Sequence, residues 1–199
     1  MKNRPELASS LREPAIGDME HAVREILRKT PGLAWDREGL AETPARFVKA
    51  WAHFTQGYTQ DPSVVLKTFE DGAEDVDEMV VQRNIPLWSL CEHHLLPFWG
   101  HATIAYIPSS KILGLSKFTR LVDVFARRLQ VQERLTVEIA TALENHLAPR
   151  GVGVSLTCRH SCMESRGVCK DGETTTTTKL LGVLRTDAAA RAEFLRLVD

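Results

Sequence analysis

A chain of 199 residues and 22.3 kDa, 43% hydrophobic and 26% charged, has the composition of one soluble globular domain with room for an appendage. A formal charge of −1 argues against a general nucleic-acid or membrane-surface binder, and no apolar run approaches the roughly 20 residues of a membrane span. The opening stretch MKNRPELASSLREPA lacks the apolar core of a secretory signal, which points to the cytoplasm, where thiols stay reduced. Residues 1–15 mix charge, Ser and Pro without periodicity and read as a flexible N-terminal arm. Asp18 is placed to cap a helix with Met19, Ala22, Val23, Ile26 and Leu27 on one face. Thr43 followed by Pro44 signals a second helix, with Phe47, Val48, Trp51 and Phe54 as its buried stripe. Residues 16–72 thus form an N-terminal helical region.

The pattern turns strand-like from about residue 79, within a region 73–199 that forms a second unit. Met79, Val80 and Val81 begin it, and HATIAYIP (101–108) is rich in β-formers and ends at a proline. Ser116 is placed to cap a helix carrying Leu121, Val122 and Phe125, and a further helix holds Val131, Leu135, Ile139, Leu143 and Leu147 on one stripe. GVGVSLTCRHSC (151–162) reads as a strand with Val152, Val154, Leu156, Cys158, His160 and Cys162 on one face. A Thr-rich strand near 174–184 and a short helix at 188–198 follow. Antiparallel hairpins with two paired helices make an α+β architecture.

Four cysteines in a reducing compartment, two of them close to histidines, read as metal ligands or nucleophiles before disulfides. In CEHH (91–94) a tight turn can aim Cys91 and His94 at one ion, leaving His93 pointing elsewhere. In HSC (160–162) strand alternation puts His160 and Cys162 on the same side. Thiolate and imidazole donors suit zinc. Other readings of the same spacing are a structural four-ligand zinc that adds Cys158, a nucleophilic Cys91 activated by a histidine, and buried polarizable side chains with no chemical task.

A second signal is charge. Between Lys111 and Arg134 stand six basic residues against Asp123 and Glu133, in a chain that is nearly neutral. Lys117 and Arg120 share the face of the helix that Ser116 would cap, and a helix N-terminus beside cations suits phosphate. Arg166, just after HSC, can join them, although for any single cation a solvated helix face explains as much. In VQERLT (131–136), Glu133 beside Gln132 can take two parallel N–H donors from a planar base edge, or can simply be an acid favoured in a first turn.

Taken together, ETPARF (42–47), VDEMV (76–80), SLCEHHLLPFWG (89–100), the run from Ile104 to Thr136, HSCMESRG (160–167) and the TTTTT segment before LLGVLR (180–185) resemble GTP cyclohydrolase I. The resemblance implies a T-fold, an antiparallel sheet with two helices packed on one face. It also implies a homodecamer, a dimer of pentamers, with active sites between subunits. The implied reaction converts GTP and water to 7,8-dihydroneopterin triphosphate and formate, the first step of folate or tetrahydrobiopterin synthesis. By motif, Cys91, His94 and Cys162 match ligands of a catalytic Zn2+, and His93 and His160 match acid/base histidines. Glu133, with Gln132 beside it, matches the guanine-holding carboxylate. Ser116, Lys117, Arg120 and Arg166 match triphosphate ligands, and Arg46 a phosphate-binding arginine donated across a subunit boundary. Only Cys162 lies in the H-x-C-x-x-x-R-G frame, so Cys158 and Cys169 receive no role.

Overall fold

The computed structural model describes residues 13–70 and 75–198; the arm at 1–15 lies almost wholly outside them. Helix α1 (Glu13–Lys29) packs on α2 (Thr43–Thr55), and short turns including α3 (Pro62–Val65) lead to β1 (Thr68–Phe69). β2 (Val80–Cys91) and β3 (Pro97–Ile107) follow as a long hairpin, then β4 (Ile112–Leu113), α4 (Ser116–Ala126), β5 (Leu129–Gln130) and α5 (Gln132–Leu147). The chain closes with β6 (Gly151–His160), α6 (Ser161–Glu164), β7 (Thr175–Gly182), α7 (Val183–Thr186) and α8 (Ala188–Val198).

The main sheet has the order β5-β2-β3-β6-β7, antiparallel throughout except where β5 runs parallel to β2; β1 and β4 pair separately. Alternation along β2, β3 and β6 turns Ile85, Leu87, Phe98, Ile104, Val152, Val154 and Leu156 to one face. There Phe118, Leu121 and Val122 of α4 and Leu135, Ile139 and Leu143 of α5 close the core. This is the α+β T-fold arrangement, two helices on one face of an antiparallel sheet. The opposite face is partly covered as well, because Phe194 of α8 and Leu184 pack against Ala105. No helix among the described residues is long and apolar enough to cross a membrane.

Several local expectations need correction. α1 begins five residues before Asp18, so Asp18 lies inside the helix; Pro14 falls in the first turn, where the missing N–H has no helical partner to lose. Two of the five residues of the expected α1 stripe are uncovered, Ala22 and Ile26, the latter 67% exposed, while Val23 and Leu27 are half-buried. On α2, Val48 is buried but Phe47 is exposed and stacked on Trp51 at 6.0 Å. Ser116 is not a cap: Leu115 is already helical and the Lys117 N–H donates to the Gly114 carbonyl, so the turn starts ahead of Ser116.

At Gly100, opposite Cys158, β3 and β6 leave no room for a side chain. A methyl group there would meet the Thr157 carbonyl oxygen at 1.9 Å and the Cys158 Cα at 2.7 Å, both backbone atoms that cannot swing aside. Gly100→Ala is therefore expected to destabilise the fold by about 3 kcal/mol, the upper end for overpacking. Chemical denaturation reads this, and a midpoint equal to the parent's would contradict it.

Candidate active site

The CEHH segment sits where β2 turns into β3. The Cys91 N–H donates to the Leu96 carbonyl, and the Cys91 carbonyl accepts from His94 and Leu95. Leu95 closes the turn at φ +55°, a left-handed conformation that costs a non-glycine residue about 1 kcal/mol. Residues three apart on a strand face opposite sides, so only this turn lets Cys91 and His94 converge. Cys91 Sγ lies 3.6 Å from His94 Nδ1 and 4.0 Å from His93 Nδ1. The His93 side chain is 63% exposed.

Cys162 reaches the same point by a different route from the one strand alternation suggests. β6 ends at His160, and Cys162 sits in the helical turn α6. The Ser161 hydroxyl donates to the Pro97 carbonyl at 2.6 Å, tying this turn to the start of β3, and the Ser165 N–H donates to the Ser161 carbonyl. The ligand atoms of Cys91, His94 and Cys162 all lie within 4.8 Å of one another, and Cys158 is outside the group. A tetrahedral zinc with bonds of about 2.3 Å to sulfur and 2.05 Å to nitrogen separates an S and an N ligand by about 3.6 Å. The Cys91–His94 spacing fits that ion. Three protein ligands rather than four also leave a coordination position open.

Burial and the neighbouring Cys91 thiol push the Cys162 thiol up, and nearby Arg166 pulls it partly back. Burial alone pushes Cys158 up to about 12. His160 is held below the usual imidazole range by burial, against the opposing pull of the Glu133 and Glu164 carboxylates. Its ring stacks on Phe98 at 4.8 Å and 10°, and its Nε2 lies 2.8 Å from Gln132 Oε1.

Glu133 stands exposed in the first turn of α5, without a salt-bridge partner among the described residues. Gln132 beside it is only 2% exposed, and its Nε2 donates to the Leu156 and Thr175 carbonyls. Its side chain is thus turned from Glu133 into the sheet. Arg134, which sequence reasoning did not single out, clamps Glu92 of the turn and donates to Gln130 Oε1. Phe98 under His160 was missed as well. Arg134 stands inside VQERLT and Phe98 inside SLCEHHLLPFWG, so membership of a motif was the available signal, while the partners that give them a role lie far off in the chain.

The structure does not gather all the predicted residues. Cys91, His93, His94, Cys162, His160, Gln132, Glu133 and Arg166 lie at one end of the sheet. α4 begins at the other end, where the Leu113 N–H donates to the Tyr106 hydroxyl at 3.0 Å and the Tyr106 ring lies 5.9 Å from that of Phe118. From Pro97 to Tyr106 is nine strand steps, roughly 30 Å. Ser116 and Lys117 therefore start from the far end of the sheet from the cysteine cluster, with Arg120 one helical turn along α4 toward it. Arg46 is on α2, its guanidinium engaged with Glu42. Lys117, Arg120 and Arg166 make no ion pair among the described residues.

Fold and site together define a T-fold protein with a Cys/His/Cys group able to hold a metal ion at one end of its sheet. The sequence comparisons make this particular. The family model of GTP cyclohydrolase I matches residues 19–199. GTP cyclohydrolase 1 of Nitrosospira multiformis is 56% identical over 187 residues, spanning 94% of this chain and 95% of its own. That of Janthinobacterium sp. (strain Marseille) is 60% identical over 162 residues, spanning 81% and 82%. GTP cyclohydrolase 1 of Drosophila melanogaster is 48% identical, spanning 94% of this chain and 57% of its own. The chain belongs to the GTP cyclohydrolase I family and is an enzyme.

The cysteines should separate by reactivity. A thiol at about 12 is thiolate to roughly one part in 10,000 at pH 8. In chelator-treated protein, iodoacetamide is expected to modify exposed Cys169 first and Cys158 only after unfolding, as read by peptide mass spectrometry. Equal labelling rates in the folded protein would contradict this burial.

Proposed function

We propose that this enzyme opens the imidazole ring of the guanine of GTP, releasing formate and forming 7,8-dihydroneopterin triphosphate, with Zn2+ held by Cys91, His94 and Cys162. The observation that carries the reading is the three-ligand cluster lying beside Glu133 and His160. When bound, zinc supplies the Lewis acidity that makes water a nucleophile near neutral pH.

The chain's own residues supply the rest. Glu133 accepts from the N1–H and the 2-amino group of guanine; adenine offers an acceptor where guanine offers a donor and is rejected by two facing acceptors. The Gln132 side chain is already engaged, so the part left for the base is its backbone N–H, one of the donors that a helix's first turn leaves unmatched. Adding water across the ring and expelling formate needs several proton transfers. His93, exposed beside the cluster, and His160, half-buried on Phe98, carry them.

Arg166 binds the triphosphate from the cluster side. Ser116, Lys117 and Arg120 belong to a helix that starts at the opposite end of the sheet in the same chain. We infer that a second copy brings them, together with Arg46, so that the site is completed between subunits. The exposed apolar side chains Ile26 and Phe47 favour such assembly, and a decamer of two stacked pentamers meets the requirement. The product serves folate or tetrahydrobiopterin synthesis.

Purified protein loaded with zinc is expected to release formate from GTP and to yield a pterin that fluoresces after oxidation. Ala at Cys91, His94 or Cys162 should remove the metal and lower turnover on the order of 1000-fold. Full turnover by a metal-free variant would refute the assignment. Glu133→Gln presents a donor to guanine's donors and is expected to lower kcat/KM for GTP by about 100-fold. An unchanged kcat/KM would remove Glu133 from the base site.

A further inference from the structure

We propose that Gln132 is a positioning residue for His160, fixing the neutral ring with its proton on Nε2 and leaving Nδ1 as the only acceptor atom. The inference rests on the reading of His160 as a proton carrier and gives that residue a defined chemical form.

The argument follows hydrogen-bond direction through a buried chain. The Thr136 hydroxyl donates to the Gln132 backbone carbonyl at 2.8 Å, as a hydroxyl one helical turn on commonly does. Its proton is thereby committed, so in the 2.6 Å contact between Thr136 and Thr177 the Thr177 hydroxyl is the donor. Thr177 Oγ1 is then an acceptor toward Gln132 Nε2 at 3.2 Å. The same amide nitrogen faces two backbone carbonyls, Thr175 at 2.8 Å and Leu156 at 3.0 Å. Three acceptors around one end of the amide fix that end as NH2, because a flipped amide would set its oxygen against all three.

Oε1 must therefore face His160. An amide oxygen has no proton to give, so the 2.8 Å contact requires the imidazole to donate from Nε2. The neutral ring has one N–H, which leaves Nδ1 unprotonated. Stacking on Phe98 at 10° holds the ring plane, so the proton-accepting direction is set as well as the tautomer. A substituted Gln132 would leave the ring two tautomers and a looser plane, only one of which has its lone pair on Nδ1.

Solid-state 15N spectra of the zinc-loaded enzyme carrying 15N-histidine test this directly, with His160 identified by difference from His160→Gln. At a pH where the ring is neutral, His160 is expected to show a protonated Nε2 and an imine-type Nδ1. In Gln132→Met, which keeps the side-chain volume and removes the acceptor, both tautomers should be present. Turnover number for GTP should then fall on the order of 100-fold, the lower end of what a positioned acid/base contributes, while KM stays within about twofold. A wild-type proton on Nδ1 overturns the proposal, and so does a folded Gln132→Met with parental turnover. If that variant fails to fold, the wild-type spectrum alone decides the tautomer. A protein that shows the expected tautomer but does not open GTP leaves this inference standing and removes the proposed function.

Discussion

The site depends on the way the turn after β2 is held. Cys91 is the last residue of β2, and the strand pairs there not only with β3 but in parallel with β5, Cys91 opposite Gln130. The Glu92 N–H donates to the Gln130 carbonyl, and the Gln130 amide donates to Glu138 of α5 and to the Phe125 carbonyl at the end of α4. Arg134 completes the tie by gripping Glu92 from α5. These bonds offset the left-handed Leu95 that the turn requires. They also make the end of β2, the short strand β5 and the first turns of α5 one rigid piece, so that Cys91 and His94 cannot move without Glu133.

The second half of the site hangs from the same helix. α5 starts at Gln132, whose side chain crosses to the β6–β7 pair and meets His160. Ser161 then bonds back to Pro97, the first residue of β3. Segments some seventy residues apart in the chain, 91–94 and 160–162, are thus bridged by α5 on one side and by the β3 start on the other. Hydrogen-bonded networks of this kind are costly when half satisfied, because a buried polar atom without a partner has lost its water as well. That constraint favours keeping the whole set together.

Much of the sheet was legible because its faces differ. The alternation of Val152, Val154 and Leu156 with Gly153 and Ser155 in β6, and a helical stripe in α5, leave a pattern in sequence order even though β6 is buried on both faces. The Cys91/His94/Cys162 group was legible as donor chemistry, though spacing alone left Cys158 in contention. The register of Cys158 opposite Gly100, deep in the core, is what separates them. Other features had no local trace. The end of β6 at His160 is set by Ser161 meeting a carbonyl 64 residues away, and strand alternation wrongly carried the strand on to Cys162. The burial of the Gln132 side chain depends likewise on partners in β6 and β7. Phe47 reads as core by helical spacing, yet α2 has no described neighbour to cover it.

The distribution of cations gives the last step. In the proposed function a triphosphate needs positive charge close to Glu133, and within one chain that end of the sheet offers Arg166, which has no ion pair among the described residues. Lys117 and Arg120, also without ion pairs among the described residues, belong to a helix that starts at the other end of a sheet too stiff to fold back on itself, behind a core that fixes α4 through Phe118, Leu121 and Val122. Bending does not bring the two ends of such a sheet together, whereas side-by-side packing of identical sheets can set the α4 end of one chain against the cysteine end of another. In that proposed arrangement neither element is displaced from its own core. On that proposal assembly is a condition of substrate binding, and the Cys91, His94 and Cys162 group of a lone chain would face GTP without most of the charge proposed to hold it.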